Sequence, residues 1–343
     1  MSDSVTEPAA EQPNPSRIFD TLNAHQQSAA LRGAIELGFF TQIAQGHTTA
    51  ADLAHACGGD PRATRIVCDY LVIHGFLAKD GDQYALTPES AAFLDEQSPR
   101  YMGSMAKFIN SKELLDSFRD VAELVRRGRT LLAGSGTVET EFEGWVEFAR
   151  SMAPMMTPAA QLIGALAAQR SPGPIRVLDI AAGHGLFGVE VARQNPQASV
   201  TALDWGKVLA VAEQNAARAG VSDRYALLPG DALSIDYGVG FDLVLATNFF
   251  HHFDRDTCVS LMRKMAGCLN AGGYVVTLEF VPNEDRVSPP ASAAFAMTML
   301  ASTPAGDAYT FAEYEAMWSE AGLTQSELHQ APPTPQQLII SQA

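Results

Sequence analysis

The 343-residue chain has no apolar run long enough to cross a bilayer, and no basic-then-apolar signal segment opens it. Both absences point to the cytoplasm, and no membrane partner is expected. Basic residues are scarce, 23 against 39 acidic, for a net charge of −16. A nucleic-acid partner needs a concentrated positive field, and this chain lacks one. The four cysteines (Cys57, Cys68, Cys258, Cys268) form no CxxC pair and read as reduced, structural residues. His184, His251, His252 and Glu279 could converge on a metal, but no HxxxH or HxH spacing supports it, so no metal is expected. Residues 1–16 contain neither Lys nor Arg and are expected to form a disordered tail.

What is present divides into three parts: 17–100, 101–170 and 171–343. The first has short helical patterns interrupted near Gly38. Thr49 and Asp60 are expected N-caps, with Pro61 at a first helical position and a two-stranded wing over "KDGDQYAL". This is a winged-helix outline. Its second helix, Pro61 to Phe76, offers only Arg62 and Arg65, opposed by Asp60 and Asp69. The remainder is apolar on several faces, which suits a protein interface better than a phosphate groove. From Tyr101 to Gln169 the pattern predicts helix throughout, rich in Met and aromatic residues towards its end. "SPGP" at 171–174 marks the boundary.

After that boundary strands and helices alternate. "IRVLDIAA", "SVTALDW", "RYALLPGD", "FDLVLATN" and "YVVTLEFV" predict five strands of a parallel sheet covered on both faces. The helix before the fifth strand is expected to run over "DRDTCVSLMRKMAGCLN" and stop at "AGG", and "LTQSELHQ" with "QQLIISQA" predicts a closing hairpin. The expected fold is therefore α/β: a Rossmann-like, parallel-rich sheet closed by an antiparallel C-terminal strand pair, plus an N-terminal all-α winged-helix dimerisation domain.

Gly183-x-Gly185-x-x-Gly188 follows the first strand, and it suits two cofactors. Small residues there let backbone amides approach a ligand at a helix N-terminus. Asp204, ending the second strand, suits ribose hydroxyls in either case. Asp179 discriminates between them, because a carboxylate four residues before the first glycine repels a pyrophosphate and welcomes a sulfonium or an ammonium. Asp231, in "PGDAL", adds a third carboxylate placed for an adenine amino group. Three carboxylates around one site favour S-adenosylmethionine over a nicotinamide dinucleotide.

Through "VLDIAAGHG", "ALDW", "PGDAL" and "NFFHHF", residues 175–343 resemble the class I S-adenosylmethionine-dependent methyltransferases. The winged helix and the Met-rich helices extend the resemblance to small-molecule O-methyltransferases of the plant caffeate and bacterial polyketide type. The resemblance implies that Asp179, Gly183, Gly185, Asp204, Trp205, Asp231, Ala232, Leu233 and Asn248 bind the cofactor. It also implies that His251 is the general base on the acceptor hydroxyl, oriented by Glu279, and that the chain forms a homodimer through its N-terminal domain. Trp145, Phe148, Met152 and Met156, with Phe295 and Met299, would cage a flat lipophilic acceptor.

The chain departs from the family pattern at three positions. His252 replaces the usual Asp after the base, Thr247 replaces a Lys, and the second orienting Glu falls on Ala308, beside Asp307 and Tyr309. C- or N-methylation on the same scaffold, or a relative that binds the cofactor without transferring methyl, therefore stays open alongside O-methylation.

Overall fold

The computed structural model describes residues 13–343, which form two compact units, 13–103 and 104–343. Of the expected tail over 1–16, residues 1–12 lie outside the described residues, and a helix has already begun at Ser16.

In the first unit, helices Ser16–Glu36 and Phe39–Ala44 flank Gly38, whose φ of 68° is the left-handed conformation that glycine adopts freely. Helices Ala50–Cys57 and Pro61–Ile73 are capped by Thr49, which accepts from the Asp52 amide, and Asp60, which accepts from the Ala63 amide. Strands β1 (Leu77–Asp80) and β2 (Gln83–Leu86) pair as the antiparallel wing. Phe39, Phe40, Leu53, Leu71 and Tyr84 make the core. Asp69 accepts from Arg65 and Lys79 and from the Tyr84 hydroxyl. Arg65, one of the two basic residues of that helix, is thus engaged within the unit.

The stretch expected to be helical throughout is broken. Asp120 accepts from the Glu123 amide and starts a new helix, so the pattern splits into Lys112–Ser117 and Val121–Arg127. Gly128, Gly134 and Gly136 then take positive φ, and residues 129–143 hold only the 3₁₀ turn Gly136–Val138. Apolar spacing continues across such breaks because it records which side faces inward, not where caps intervene. Regular helix returns over Gly144–Ser151 and Ala153–Arg170. The latter packs closely on helix Leu186–Gln194: a Cβ at Gly164 would lie 2.8 Å from the Glu190 carbonyl oxygen.

The sheet comprises β3 (Ile175–Ile180), β4 (Ala198–Asp204), β5 (Tyr225–Pro229), β6 (Phe241–Thr247), β7 (Leu269–Glu279), β8 (Gln325–Gln330) and β9 (Gln337–Gln342). Its order is β5-β4-β3-β6-β7-β9-β8. Strands β3 to β7 are parallel, and β9 runs antiparallel to both β7 and β8. Helix Arg255–Cys268 ends two residues earlier than its periodicity predicts, because Leu269 already pairs with Phe241 ahead of a register shift. Val177, Val200, Leu243 and Val276 fill one side of the sheet, and Leu178, Ile180, Val244 and Val275 the other. Burial on both sides explains why these strands read as continuous apolar runs. Among the described residues, no helix is long and apolar enough to cross a membrane. The strand order reverses at β3, where β4 lies on one side and β6 on the other, leaving a crevice at the C-terminal ends.

Candidate active site

That crevice opens into a cavity of about 430 Å³. The turn after β3 forms its floor. Gly183 has φ 57° and its amide donates to Asp204 Oδ2 (2.8 Å), while Asp204 Oδ1 accepts from the Trp205 amide (2.7 Å). Asp204 therefore joins the turn to the end of β4. Burial pushes its carboxyl up to about 6, against the lowering effect of those two amides. Gly185 caps helix Leu186–Gln194 with φ 73°, and a Cβ there would lie 2.6 Å from the Tyr225 hydroxyl.

Asp179 does not join the carboxylates on the wall. It is fully buried beneath the turn and outside the cavity lining. Its Oδ2 accepts from the Gly188 amide (3.0 Å), near the helix N-terminus, and its Oδ1 has no partner among the described residues. Burial pushes this carboxyl up to about 8, and the nearby Asp204 adds to the shift. Two carboxylates of the expected three, Asp204 and Asp231, thus face the site, and Asp179 supports the turn from below.

At the end of β5, Asp231 Oδ1 accepts from the Leu233 amide (2.9 Å), which shapes the Asp231–Leu233 turn on the cavity wall. Lys264 holds this turn from behind. Its Nζ donates to the carbonyls of Ala232 (3.1 Å) and Leu233 (3.4 Å) and lies 4.0 Å from the centre of the Tyr237 ring. Tyr237 donates to the same Ala232 carbonyl. Trp205 lines the cavity beside Trp145 and Val208. Asn248, just past β6, lines it with φ 54°; its Oδ1 accepts from Gln336, and its amide donates to the Leu278 carbonyl.

The 3₁₀ turn Phe250–His252 carries the two histidines. His251 Nδ1 lies 2.5 Å from Oε2 of Glu279, the last residue of β7. Glu279 is fully buried, and its Oε1 accepts from the amides of Phe249 and Phe250, each at 2.9 Å. A carboxylate only accepts, so His251 Nδ1 carries a proton and donates it to Glu279, on a ring that lines the cavity. His252 also lines the cavity, edge-on to Trp145 at 5.2 Å. Burial, with His251 adding to it, holds its imidazole well below the usual histidine range. Asp307 lies 3.5 Å from Arg286, and the Tyr309 hydroxyl donates to the Phe253 carbonyl.

Trp145, Phe148, Met152, Met156, Phe295 and Met299 all line the same cavity. The sequence reading missed Phe108, Phe118, Glu139, Phe280 and Thr298, which line it too. It considered His184 only as a metal ligand; this residue lines the floor, accepts from the Leu186 amide, and is pushed by burial down to about 4. Its place between two glycines of the turn was the available signal. Among the described residues, no three His, Cys, Asp or Glu side chains are grouped to hold a metal ion.

A parallel sheet with its crevice at the strand-order reversal, a glycine turn tied to an acid at the end of β4, and a His–carboxylate pair facing an apolar cavity define a nucleotide-fold group-transfer enzyme. The family models agree: residues 146–324 match an O-methyltransferase domain, and residues 19–96 match an O-methyltransferase dimerisation domain. The chain belongs to this O-methyltransferase family, whose methyl donor is S-adenosylmethionine. Among its relatives is the 3-hydroxy-5-methyl-1-naphthoate 3-O-methyltransferase of Streptomyces sahachiroi, 25% identical over 321 residues that cover 91% of this chain and 90% of that one. A crystal structure of a Nostoc punctiforme protein, assigned by name to the O-methyltransferases, is 47% identical with a TM-score of 0.93, covering 96% of this chain and 99% of that one. Human N-acetylserotonin methyltransferase in complex with S-adenosylmethionine shares the fold at 19% identity and TM-score 0.83, covering 98% of this chain and 99% of that one.

The donor set fits this cofactor. Carboxylates suit ribose hydroxyls and an amino group, and Gly183, with no heavy atom nearer than 3.8 Å to a built Cβ, leaves its side of the turn open.

Proposed function

We propose that the protein methylates a hydroxyl on a small, flat, lipophilic aromatic molecule, with His251 as the general base. The observation that carries this is His251 on the cavity wall, paired with buried Glu279, whose carboxylate is fixed by two backbone amides. Bound S-adenosylmethionine supplies an electrophilic methyl carbon. The chain's own task is then to make a hydroxyl nucleophilic and keep it dry. Nε2 of His251 takes the hydroxyl proton, and the imidazolium that forms is stabilised by Glu279 on the other nitrogen. His252 is the poorer base, since its surroundings oppose protonation. The aromatic and Met walls keep water from the reacting oxygen and accept a planar ring system. The naphthoate named for the Streptomyces relative has a planar hydroxylated ring system of that general shape, to which it adds a carboxylate.

On this reading Asp204, Asp231, Gly183, Trp205, Ala232, Leu233 and Asn248 hold the cofactor, and Asp179 and Gly185 support them from behind the wall. The segment 17–100 acts as the dimerisation domain of a homodimer, 101–170 supplies acceptor-pocket helices, and 171–343 binds the cofactor. The test is a panel of naphthols and hydroxyanthraquinones incubated with isotope-labelled methyl donor, the products being read by NMR. An O-methyl resonance on at least one acceptor is expected. A label found only on carbon or nitrogen, or no transfer across the panel, contradicts the proposal.

A further inference from the structure

Charge around the cavity is one-sided. Among the described residues no Lys or Arg lines it, and residues 1–12 contain neither. Three carboxylates do line it: Asp204, Asp231 and Glu139. Glu139 is exposed, and its Oε2 accepts from the Ser135 amide at 2.8 Å, which fixes a negative charge where the wall meets water. Several cations on the segments nearby have carboxylates of their own, and Lys107, Arg129 and Arg150, on the same segments, are not part of the lining. Lys112 pairs with Asp116, Arg126 and Arg127 with Glu123, and Lys207 lies 3.9 Å from Glu141. Three histidines on the wall could become cationic. His184 and His252 are held neutral by burial, and His251 is already engaged by Glu279. Most of the remaining wall is aromatic or aliphatic, including Phe108, Phe118, Trp145, Phe148, Phe280 and Phe295.

We infer that the cavity selects an uncharged hydroxyaromatic acceptor and rejects carboxylated or phosphorylated ones, with Glu139 reinforcing the field of the two aspartates. The inference rests on the acceptor reading above and narrows it. An anionic acceptor would shed its water to enter, meet no Lys or Arg side chain in return, and face the like charges of Asp204, Asp231 and Glu139. Esterifying the same acid removes the charge and keeps the ring and its hydroxyl. The ester therefore fills the apolar wall without those costs.

The test uses hydroxynaphthoic acids paired with their own methyl esters, on the full-length protein. Binding is read by tryptophan fluorescence, since Trp145 lines the cavity, and methyl transfer is measured separately. Each ester is expected to bind about 30-fold tighter than its acid, or more, with kcat/KM following. Glu139→Lys should narrow that ratio about three-fold or more. Acids that bind as well as their esters, binding of neither member of any pair, or a Glu139→Lys ratio equal to wild type would overturn the inference. Esters that bind tightly but receive no methyl would leave the selection standing while removing the proposed reaction.

Discussion

Glu279 makes the clearest prediction at the scale of one residue. Both its oxygens are committed, one to two backbone amides and one to His251. In Glu279→Gln the amide oxygen can keep the backbone bonds, but the NH₂ group then faces Nδ1 and displaces its proton to Nε2. The ring loses the lone pair proposed to accept the substrate proton. A fall of about 100-fold or more in kcat is expected, with melting temperature little changed. Asp179 gives a second prediction, in stability against pH. Its folded pKa of about 8 lies above an unfolded value of about 3.9, so the stability it contributes is complete below about pH 4 and is lost as pH rises through 8. Asp179→Asn stays neutral throughout. In urea titrations without ligand, the variant should gain on wild type between pH 5 and pH 9; a constant difference would show that Asp179 does not titrate in that window. His251, Glu279, Asp204 and Asp231 could be located in the sequence because each stands at or just past the end of a strand, in a recognisable motif. The position of Asp179 below the wall could not, because a residue pattern records spacing and not which side of a turn a side chain occupies.

Among the elements, the glycine turn is the most constrained. Gly185 combines φ 73° with a Cβ position 2.6 Å from the Tyr225 hydroxyl and 2.7 Å from Ala212 Cβ. Gly185→Ala should cost about 2–4 kcal/mol of unfolding free energy, read by chemical denaturation. A loss under about 0.5 kcal/mol would show that the turn relaxes without strain. The strands β3 to β7 were legible because burial on both faces leaves unbroken apolar runs, and the caps at Thr49 and Asp60 because their side chains bond the local backbone. The segment 129–143 was misread as helix. It follows a genuine amphipathic pattern, and its irregular course is fixed by distant partners: Thr130 donates to the Ala301 carbonyl, and Thr137 to that of Ser302. Contacts separated by more than 160 residues leave no local trace in a periodicity, and for the same reason Glu139 was not foreseen on the cavity wall.

At the scale of the whole molecule, a net charge of −16 keeps copies apart unless apolar surface brings them together. Ile18, Phe19 and Leu22, on helix Ser16–Glu36, are 63%, 60% and 70% exposed. Within the family's dimerisation domain, or at its edge, these residues are the expected contact of one copy with another. Phe19→Asp combined with Leu22→Asp should convert a dimer into monomer in sedimentation experiments; a doubly substituted protein that stays dimeric would place the interface elsewhere. The change of period at "SPGP" was visible in the sequence, but it is a boundary inside the second unit, since the two units divide at 103/104. The helices before that boundary, from Ser104 onward, nonetheless belong with the sheet, because they cover the cavity that the sheet's crevice begins. Proton removal by His251 is the step on which the proposed function turns. Its most direct test is kcat of His251→Ala on a methylated acceptor, measured beside the affinities for S-adenosylhomocysteine and for that acceptor. The expected result is a loss of about 100-fold or more in kcat with both affinities within about three-fold of wild type. Full retention of kcat would contradict it.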